Sequence, residues 1–167
     1  MIPHPDQQKI LAICAVITIS DSRTLESDRS GKIIQELLSE NGHQIQDYQI
    51  LKDEPQEILA LLQQLAQNNN LDVIICNGGT GIAPRDTTYD VISQVLEKTL
   101  PGFGELFRWL SFQEIGSRAM ASRAIAGIYH HKIIFSLPGS SNAVQLAMTQ
   151  LILPEISHLI KQIKGLG

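Results

Sequence analysis

Residues 71–86, LDVIICNGGTGIAPRD, join a short apolar run to a glycine-rich loop. The run at 71–76 is dominated by β-branched residues, which is typical of a strand covered on both faces. The loop carries three glycines within four residues, followed by Pro-Arg-Asp. In open α/β sheets, ligands sit beyond the carboxyl ends of such strands. The stretch therefore predicts both a buried strand and a candidate site.

Strands and helices alternate on both sides of this stretch, which predicts an α/β fold with a mostly parallel sheet and helices on both sides. Apolar runs or alternation predict strands at 10–19, 45–51, 71–76, 124–129 and 133–137. Helical periodicity predicts helices at 30–41, 55–67, 103–110 and 140–163, and one that begins at Thr87 or Thr88 and runs to Leu96. A tight turn at His130-His131-Lys132 indicates that at least one strand is antiparallel.

Helix caps follow from the residues at the predicted starts. We expect Ser30 to cap the first helix, Asp90 to form a capping box in the third, and Ser140 or Ser141 to cap the last. Asn41-Gly42 closes the first helix. Pro154 lies inside the last helix and is expected to kink it.

Composition limits the possible functions. A chain of 167 residues with 43% hydrophobic content predicts a single domain over 1–167. A net charge of −4 argues against general nucleic-acid binding. The first ten residues lack a secretion signal, and the longest apolar run, 10–19, has about half the length of a membrane span. Cys14 and Cys76 lie in apolar runs without metal spacing, so we expect buried thiols in a soluble, cytoplasmic protein that engages no membrane.

Three loops at predicted strand ends are rich in small polar residues: 18–23, 77–81 and 137–142. Glycine allows backbone N–H groups to form a concave cradle for phosphate, and hydroxyl groups at a helix start add donors. The alternative is that the glycines only make tight turns. No dinucleotide fingerprint or Walker loop fits, because Pro84 and Glu26 stand where glycines are required.

Asp53 and Asp86 are candidate ligands of a divalent cation. Mg²⁺ is typically held by one or two carboxylates together with phosphate oxygens of its ligand. Each acid also precedes a predicted helix, so capping is the alternative, and the two roles are compatible. Arg85 and Arg123 are candidates to neutralise phosphate charge.

The histidines are not expected to bind a metal ion. His130 and His131 are expected to form a polar turn, because adjacent histidines in a hairpin rarely share one metal. His43 and His158 are expected at the surface.

Four motifs together resemble the molybdenum cofactor biosynthesis family that includes MoaB, MogA and the gephyrin G domain. They are Ser20-Asp21, Gly78-Gly79-Thr80-Gly81 with Pro84-Arg85-Asp86, residues 101–127 (PGFGELFRWLSFQEIGSRAMASRAIAG) and Pro138-Gly139-Ser140. The resemblance covers about residues 12–154 and is nearest to the MoaB branch. It implies a three-layer α/β/α fold with a mixed sheet that includes an antiparallel strand, and a homotrimer or homohexamer. It also implies molybdopterin binding and adenylylation of molybdopterin by ATP with Mg²⁺, which releases pyrophosphate.

The resemblance assigns roles position by position. Asp53 and Asp86 would be catalytic and metal-binding. The nucleotide phosphates would be held by Ser20, Asp21, Gly78, Gly79, Thr80 and Gly81. The pterin would be bordered by Ser122, Arg123, Pro138, Gly139, Ser140 and Ser141. Lys52 and Tyr89 depart from the family pattern at positions where proline is frequent, which affects local rigidity more than chemistry.

Two other classes of function stay open at this stage. One is a protein that carries molybdopterin without catalysis, in which the acids would be dispensable. The other is an oligomeric scaffold, for which Trp109 and Phe112, which lie off the main apolar face of their helix, are candidate contacts. Packing in the same core is the alternative for both side chains.

Overall fold

Residues 9–166 are described in a computed structural model, and they form one six-stranded sheet flanked by helices. The strands are β1 (Ile13–Ile19), β2 (Gln44–Leu51), β3 (Val73–Asn77), β4 (Lys98–Thr99), β5 (Ile125–Tyr129) and β6 (Lys132–Leu137). The helices are α1 (Arg29–Glu40), α2 (Pro55–Ala66), α3 (Thr88–Val95), α4 (Pro101–Ile115), α5 (Ser141–Ala147) and α6 (Leu153–Ile163). A 3₁₀ helix, Gly116–Ala121, follows α4, and a π-helical segment, Met148–Ile152, joins α5 to α6.

The strand order is β2-β1-β3-β6-β5-β4. Strands β2, β1, β3 and β6 pair in parallel, whereas β5 runs antiparallel to both β6 and β4. The antiparallel strand follows from a two-residue turn, in which His130 and His131 have φ angles of 45° and 61°. Two positive φ angles match the right-handed twist of a hairpin. The predicted mixed sheet with one antiparallel strand is confirmed, and the two-residue strand β4 was not predicted.

Hydrophobic side chains fill both faces of the sheet. Alternate residues of β1 point to opposite faces, so that Cys14 and Val16 join one buried cluster and Ala15 and Ile17 join the other. The first cluster packs under α1, α4, α5 and α6, and the second packs under α2 and α3. The three-layer α/β/α architecture is therefore confirmed.

The helix caps differ in part from the expected ones. Asp28, rather than Ser30, caps α1, because its Oδ1 accepts a hydrogen bond from the amide of Gly31 at 3.0 Å. Asp90 forms no capping box, and Thr87 makes no side-chain cap at α3. Ser140 caps α5 as predicted, since its hydroxyl accepts from the amide of Ala143 at 3.3 Å.

The last helical stretch, Ser141–Ile163, is interrupted by the π-helical segment Met148–Ile152, which ends two positions before Pro154. A wider turn at this point accommodates a residue that lacks an N–H group and crowds the preceding turn. By length and composition the stretch could cross a membrane. Core helices pass the same test, and its buried side packs on the sheet through Val144, Ala147, Met148, Ile152, Ile156 and Ile160.

The structure tests the burial that was predicted for two histidines and two cysteines. His43 is only 5% exposed, which corrects the expected surface position; its Nδ1 accepts a hydrogen bond from the amide of Ala12 at 3.0 Å. His158 is exposed as predicted. Cys14 and Cys76 are free and buried, and burial raises the pKa of each thiol to about 12, so both are protonated at neutral pH.

Candidate functional site

The loops that follow β1, β3 and β6 meet at the carboxyl edge of the sheet. These three strands are neighbours, and Asn77 at the end of β3 lies opposite both Thr18 and Leu137. The amide of Gly78 donates to the carbonyl of Leu137 at 2.9 Å, which joins the second and third loops. The convergence predicted from parallel pairing is therefore observed.

A cleft of about 400 Å³ opens where the second and third loops meet the end of α4. Nine predicted residues line it: Gly78, Gly79, Thr80, Gly81, Asp86, Ser122, Pro138, Gly139 and Ser140. The remaining wall comes from Phe107, Ser111, Ile115, Arg118, Ala121 and Ala143. Five predicted residues do not line it: Ser20, Asp21, Asp53, Arg123 and Ser141.

The glycine loop has two residues with positive φ angles and three backbone amides without a hydrogen-bond partner among the described residues. Gly78 and Gly79 have φ angles of +106° and +63°, a region that other residues avoid. Within residues 9–166, the amides of Gly79, Thr80 and Gly81 donate no hydrogen bond. Both interpretations of the loop therefore find support, because the glycines allow the turn and the turn leaves donors free.

We expect Gly78→Ala to destabilise the protein by at least about 2 kcal/mol, because a methyl group adds strain at a positive φ and meets backbone. A Cβ built on Gly78 lies 2.1 Å from the carbonyl oxygen of Ile19. Gly102→Ala is the matched control, since a Cβ there has no neighbour within 4 Å. Urea denaturation of both variants measures the effect, and equal stabilities would contradict this account of the turn.

Asp53 is 5% exposed and connects the loop after β2 to the start of α3. Its Oδ1 accepts from the amide of Thr87 at 3.1 Å, from the hydroxyl of Thr87 at 2.6 Å and from the hydroxyl of Thr88 at 3.3 Å. Asp53 thus satisfies donors at the start of α3, whereas Glu54 is the N-cap residue of its own helix, α2. Only Oδ2, which lies against Gly79, is left to face the glycine loop.

Asp86 is half-buried and lines the cleft beside the glycine loop. Its Oδ2 accepts from the amide of Ala83 at 3.0 Å and lies against Gly81. Among residues 9–166, its Oδ1 accepts no hydrogen bond. The carboxylate is therefore fixed by one oxygen and has the other available for a cation.

The carboxylates near the glycine loop are too few to hold a metal ion by themselves, and this small number suits Mg²⁺. In the described part of the chain, no group of three or more His, Cys, Asp or Glu side chains is placed to hold a metal ion. Mg²⁺ needs only one or two carboxylates when phosphates and water complete its shell. Asp86 and the Oδ2 atom of Asp53 are suited to that sparse role.

Arg85 lies outside the cleft and ties two loops together. Its guanidinium donates to both carboxylate oxygens of Asp21, at 2.8 and 3.0 Å, and to Oε1 of Glu54 at 2.7 Å. The hydrogen bonds from Arg85 and from the amide of Asp53 lower the pKa of Asp21, and these carboxylates raise the pKa of Arg85. Ser20 acts within the first loop, where its hydroxyl accepts from the amide of Arg23 at 3.1 Å.

Arg123 lies beside the second loop and uses its donors within the protein. Nε donates to the carbonyl of Thr80 at 3.2 Å, and Nη2 donates to the carbonyls of Gly81 and Asp86. Nη1 donates to both carboxylate oxygens of Asp90, at 3.0 and 3.2 Å. Asp90 forms no capping box because it pairs with Arg123 and the amide of Thr87 donates to Asp53 instead. The predicted pterin contact of Arg123 stays a prediction.

A buried aspartate, not predicted as a functional residue, organises the first loop. The side chain of Asp28 is fully buried and accepts hydrogen bonds from the hydroxyl of Thr18 at 2.5 Å, the hydroxyl of Tyr48 at 2.7 Å and the amide of Gly31 at 3.0 Å. Nη1 of Arg23 lies 3.4 Å from Asp28 Oδ1. Four donors therefore surround one carboxylate.

The Asp28 network extends to the third loop. Nη2 of Arg23 and the hydroxyl of Ser30 each donate to the carbonyl of Gly139 at 2.7 Å. The hydroxyl of Ser30, which was expected to cap a helix, is committed to this contact instead. The two bonds fix the loop that forms one side of the cleft.

Sequence reasoning missed the α4 wall of the cleft. Phe107, Ser111 and Ile115 recur at helical spacing along α4, and that spacing is the signal that could have identified a common face. Arg118 is the basic side chain among the residues that line the cleft. The buried hydroxyl of Ser122 has no hydrogen-bond partner among the described residues, so it is available to a ligand or water.

Comparison with known proteins identifies the family and the fold of this chain. The model of the probable molybdopterin binding domain matches residues 15–158. Molybdenum cofactor biosynthesis protein B of Halalkalibacterium halodurans is 54% identical over 151 residues, which cover 90% of this chain and 89% of the relative. The Bacillus subtilis protein of the same name is 46% identical over 162 residues, with 96% and 95% covered.

Solved structures agree with the sequence relatives. A crystal structure of molybdenum cofactor biosynthesis protein B superposes with a TM-score of 0.92 at 46% identity and covers 95% of this chain and 99% of that one. The tungsten cofactor synthesizing protein MoaB from Pyrococcus furiosus gives a TM-score of 0.82 at 36% identity, with 92% and 98% covered.

The fold and the cleft define a molybdopterin-binding domain. The chain belongs to the MoaB/MogA family of molybdenum cofactor biosynthesis proteins. Its role accordingly lies in molybdenum cofactor biosynthesis.

Proposed function

We propose that the protein adenylylates molybdopterin with Mg-ATP and releases pyrophosphate. The observation that carries the proposal is one cleft that is lined by the glycine loop, by Asp86 and by the Pro138–Ser140 loop. In the reaction, an oxygen of the molybdopterin phosphate attacks the α-phosphorus of ATP. The bond from that phosphorus to the β-phosphate oxygen breaks, and pyrophosphate leaves with its electron pair.

The residues of the cleft supply what such a transfer requires. Nucleotidyl transfer needs little covalent chemistry from a protein, because it depends on positioning two phosphates and stabilising the developing charge. The amides of Gly79, Thr80 and Gly81 would donate to phosphate oxygens. Mg²⁺, when bound, would neutralise charge on the triphosphate, and Asp86 would hold it.

Asp53 has a second task in this proposal. Its Oδ1 fixes the start of α3 through Thr87 and Thr88, while its Oδ2 faces Gly79. We propose that Asp53 sets the position of the glycine loop and offers Oδ2 to the cation. Asp21 and Ser20 would act on the nucleotide side through the loop contacts that they make with Arg85 and Arg23.

The other end of the cleft is suited to the pterin. Phe107 and Ile115 provide an apolar wall, and Arg118 and the unpartnered hydroxyl of Ser122 provide polar groups at its edge. Pro138, Gly139, Ser140 and Ser141 would border the pterin across the cleft. Ring systems with polar edges bind in clefts of this mixed character.

The direct test is to incubate the protein with molybdopterin, ATP and Mg²⁺ and to measure pyrophosphate and adenylylated molybdopterin. We expect both products in equal amounts, and neither when Mg²⁺ is withheld. Binding of molybdopterin without either product would contradict the adenylylation and would identify a carrier. We also propose that the protein is cytoplasmic, because its reaction uses ATP and because Cys14 and Cys76 are free thiols.

We also propose that copies of the chain assemble as a trimer or a hexamer through α4. One side of this helix exposes large apolar residues: Leu106, Trp109, Phe112 and Ile115, with exposed fractions of 52%, 60%, 59% and 55%. Met120, in the following 3₁₀ helix, is 85% exposed. Apolar residues that recur along one exposed helix face favour a protein contact.

Trp109→Asp is expected to shift the protein to monomers, because a carboxylate cannot be buried without a partner at such a contact. Leu25→Asp is the matched control, since Leu25 is 63% exposed and lies between β1 and α1, remote in sequence from α4. Light scattering on both variants measures the mass. A monomeric wild-type protein, or an unchanged mass for Trp109→Asp, would contradict the interface.

A further inference from the structure

Arg123 binds three backbone carbonyls in and after the glycine loop through its Nε and Nη2 atoms. An arginine side chain has five N–H donors in a planar fork. Here Nε reaches Thr80, Nη2 reaches Gly81 and Asp86, and Nη1 reaches both oxygens of the Asp90 carboxylate. The guanidinium carbon also lies 4.7 Å from the centre of the Tyr89 ring, which fixes its plane. In this conformation each nitrogen of the guanidinium is engaged within the protein.

The planar trans peptide converts these contacts into an orientation of amides. In such a peptide the C=O of one residue and the N–H of the next point in opposite directions. Holding the carbonyls of Thr80 and Gly81 therefore turns the N–H groups of Gly81 and Ile82 away from Arg123. The third held carbonyl, that of Asp86, shows the same relation, because the following amide of Thr87 meets Asp53.

We propose that Arg123 is a positioning residue that presents the amide of Gly81 to the phosphates of a bound ligand. This inference rests on the proposed function for the identity of the ligand, but the orientation of the loop does not depend on it. Two features are required together, the charge that pairs with Asp90 and the fork that spans separate carbonyls. Lysine would keep the charge and lose the fork.

The experiment compares Arg123→Met, Arg123→Lys and Asp90→Asn with wild type by amide NMR and by titration with inorganic pyrophosphate and Mg²⁺. In both Arg123 variants we expect the amide resonances of Gly81 and Ile82 to shift and their hydrogen exchange to accelerate. Pyrophosphate should bind at least about 10-fold more weakly, a change equivalent to about one lost hydrogen bond to a charged group. Asp90→Asn retains the carbonyl contacts and should change binding less than either.

Arg29→Met is the matched control, because Arg29 is exposed at the start of α1 and remote in sequence from the second loop. All measurements are made at temperatures at which each variant is folded. Unchanged loop amides in Arg123→Met would overturn the inference, as would a lysine variant that matches wild type in both measurements. If the amide resonances shift but pyrophosphate binds as tightly as to wild type, the claim that the amide of Gly81 contacts phosphate is overturned. If wild type binds no pyrophosphate, the phosphate-binding part of the inference is overturned and the proposed nucleotide site loses its support, whereas a shift of the loop amides would still support the orientation by Arg123.

Discussion

Asp86→Asn is expected to release pyrophosphate from Mg-ATP and molybdopterin at least about 100-fold more slowly than wild type, which is comparable to removing one preorganised charge-stabilising group. The amide has nearly the same shape, and its oxygen can still accept from Ala83, so the loop should keep its structure. What is lost is the negative charge at Oδ1, the oxygen that accepts no hydrogen bond from the described residues. The initial rate of pyrophosphate release, at matched Mg²⁺, measures the effect.

Asp47→Asn is the matched control for this substitution. Asp47 is also half-buried, but it lies in β2, where its carboxylate accepts from the side chain of Gln49 at 2.7 Å. Its turnover should equal that of wild type. Wild-type turnover in Asp86→Asn would contradict the catalytic assignment, and a large fall in thermal stability would mean that the carboxylate acts on the fold instead.

Asp28→Ala is expected to lower the free energy of unfolding by at least about 3 kcal/mol, because several buried donors lose one acceptor and each costs about 1–3 kcal/mol. The hydroxyls of Thr18 and Tyr48 and the amide of Gly31 would lose their acceptor, and Arg23 would lose its partner. Buried donors without partners carry the full desolvation cost. Urea denaturation at neutral pH measures the change.

The pH dependence of the same contact has a definite sign. Burial raises the pKa of Asp28, but the hydrogen bonds from Thr18, Gly31 and Tyr48, with the charge of Arg23, outweigh burial and leave the pKa below its usual range. A lowered pKa in the folded state gives stability that is present above the unfolded pKa of about 3.9 and is lost as the pH falls below it. The free energy of unfolding of Asp28→Asn should therefore fall less at acidic pH than that of wild type. Identical pH profiles would contradict this role.

The fold followed from the sequence where local patterns were decisive. Apolar runs identified the buried strands, and the histidine pair at 130–131 marked the hairpin that makes β5 antiparallel. Caps were less predictable, because several polar residues competed at each helix start. The hydroxyl of Ser30 bonds to Gly139, which is 109 positions away in the chain, and no local pattern reveals such a partner.

The site followed from the sequence only as far as the loops. Parallel pairing of β1, β3 and β6 brings their ends together, so the glycine loop and the loop at 138–140 were correctly expected at one edge. The α4 wall was missed because its place depends on how that helix packs over the sheet. Arg123 was assigned to the pterin by resemblance, yet its donors meet backbone carbonyls, a choice that depends on tertiary geometry.

A crystal structure with molybdopterin and a non-hydrolysable ATP analogue tests the central claim most directly. We predict that both ligands occupy the cleft, with phosphate oxygens on the amides of Gly79 to Gly81, a cation at Asp86 and the pterin between the 138–140 loop and α4. Phosphates bound elsewhere, with the glycine-loop amides still unpaired, would contradict the account.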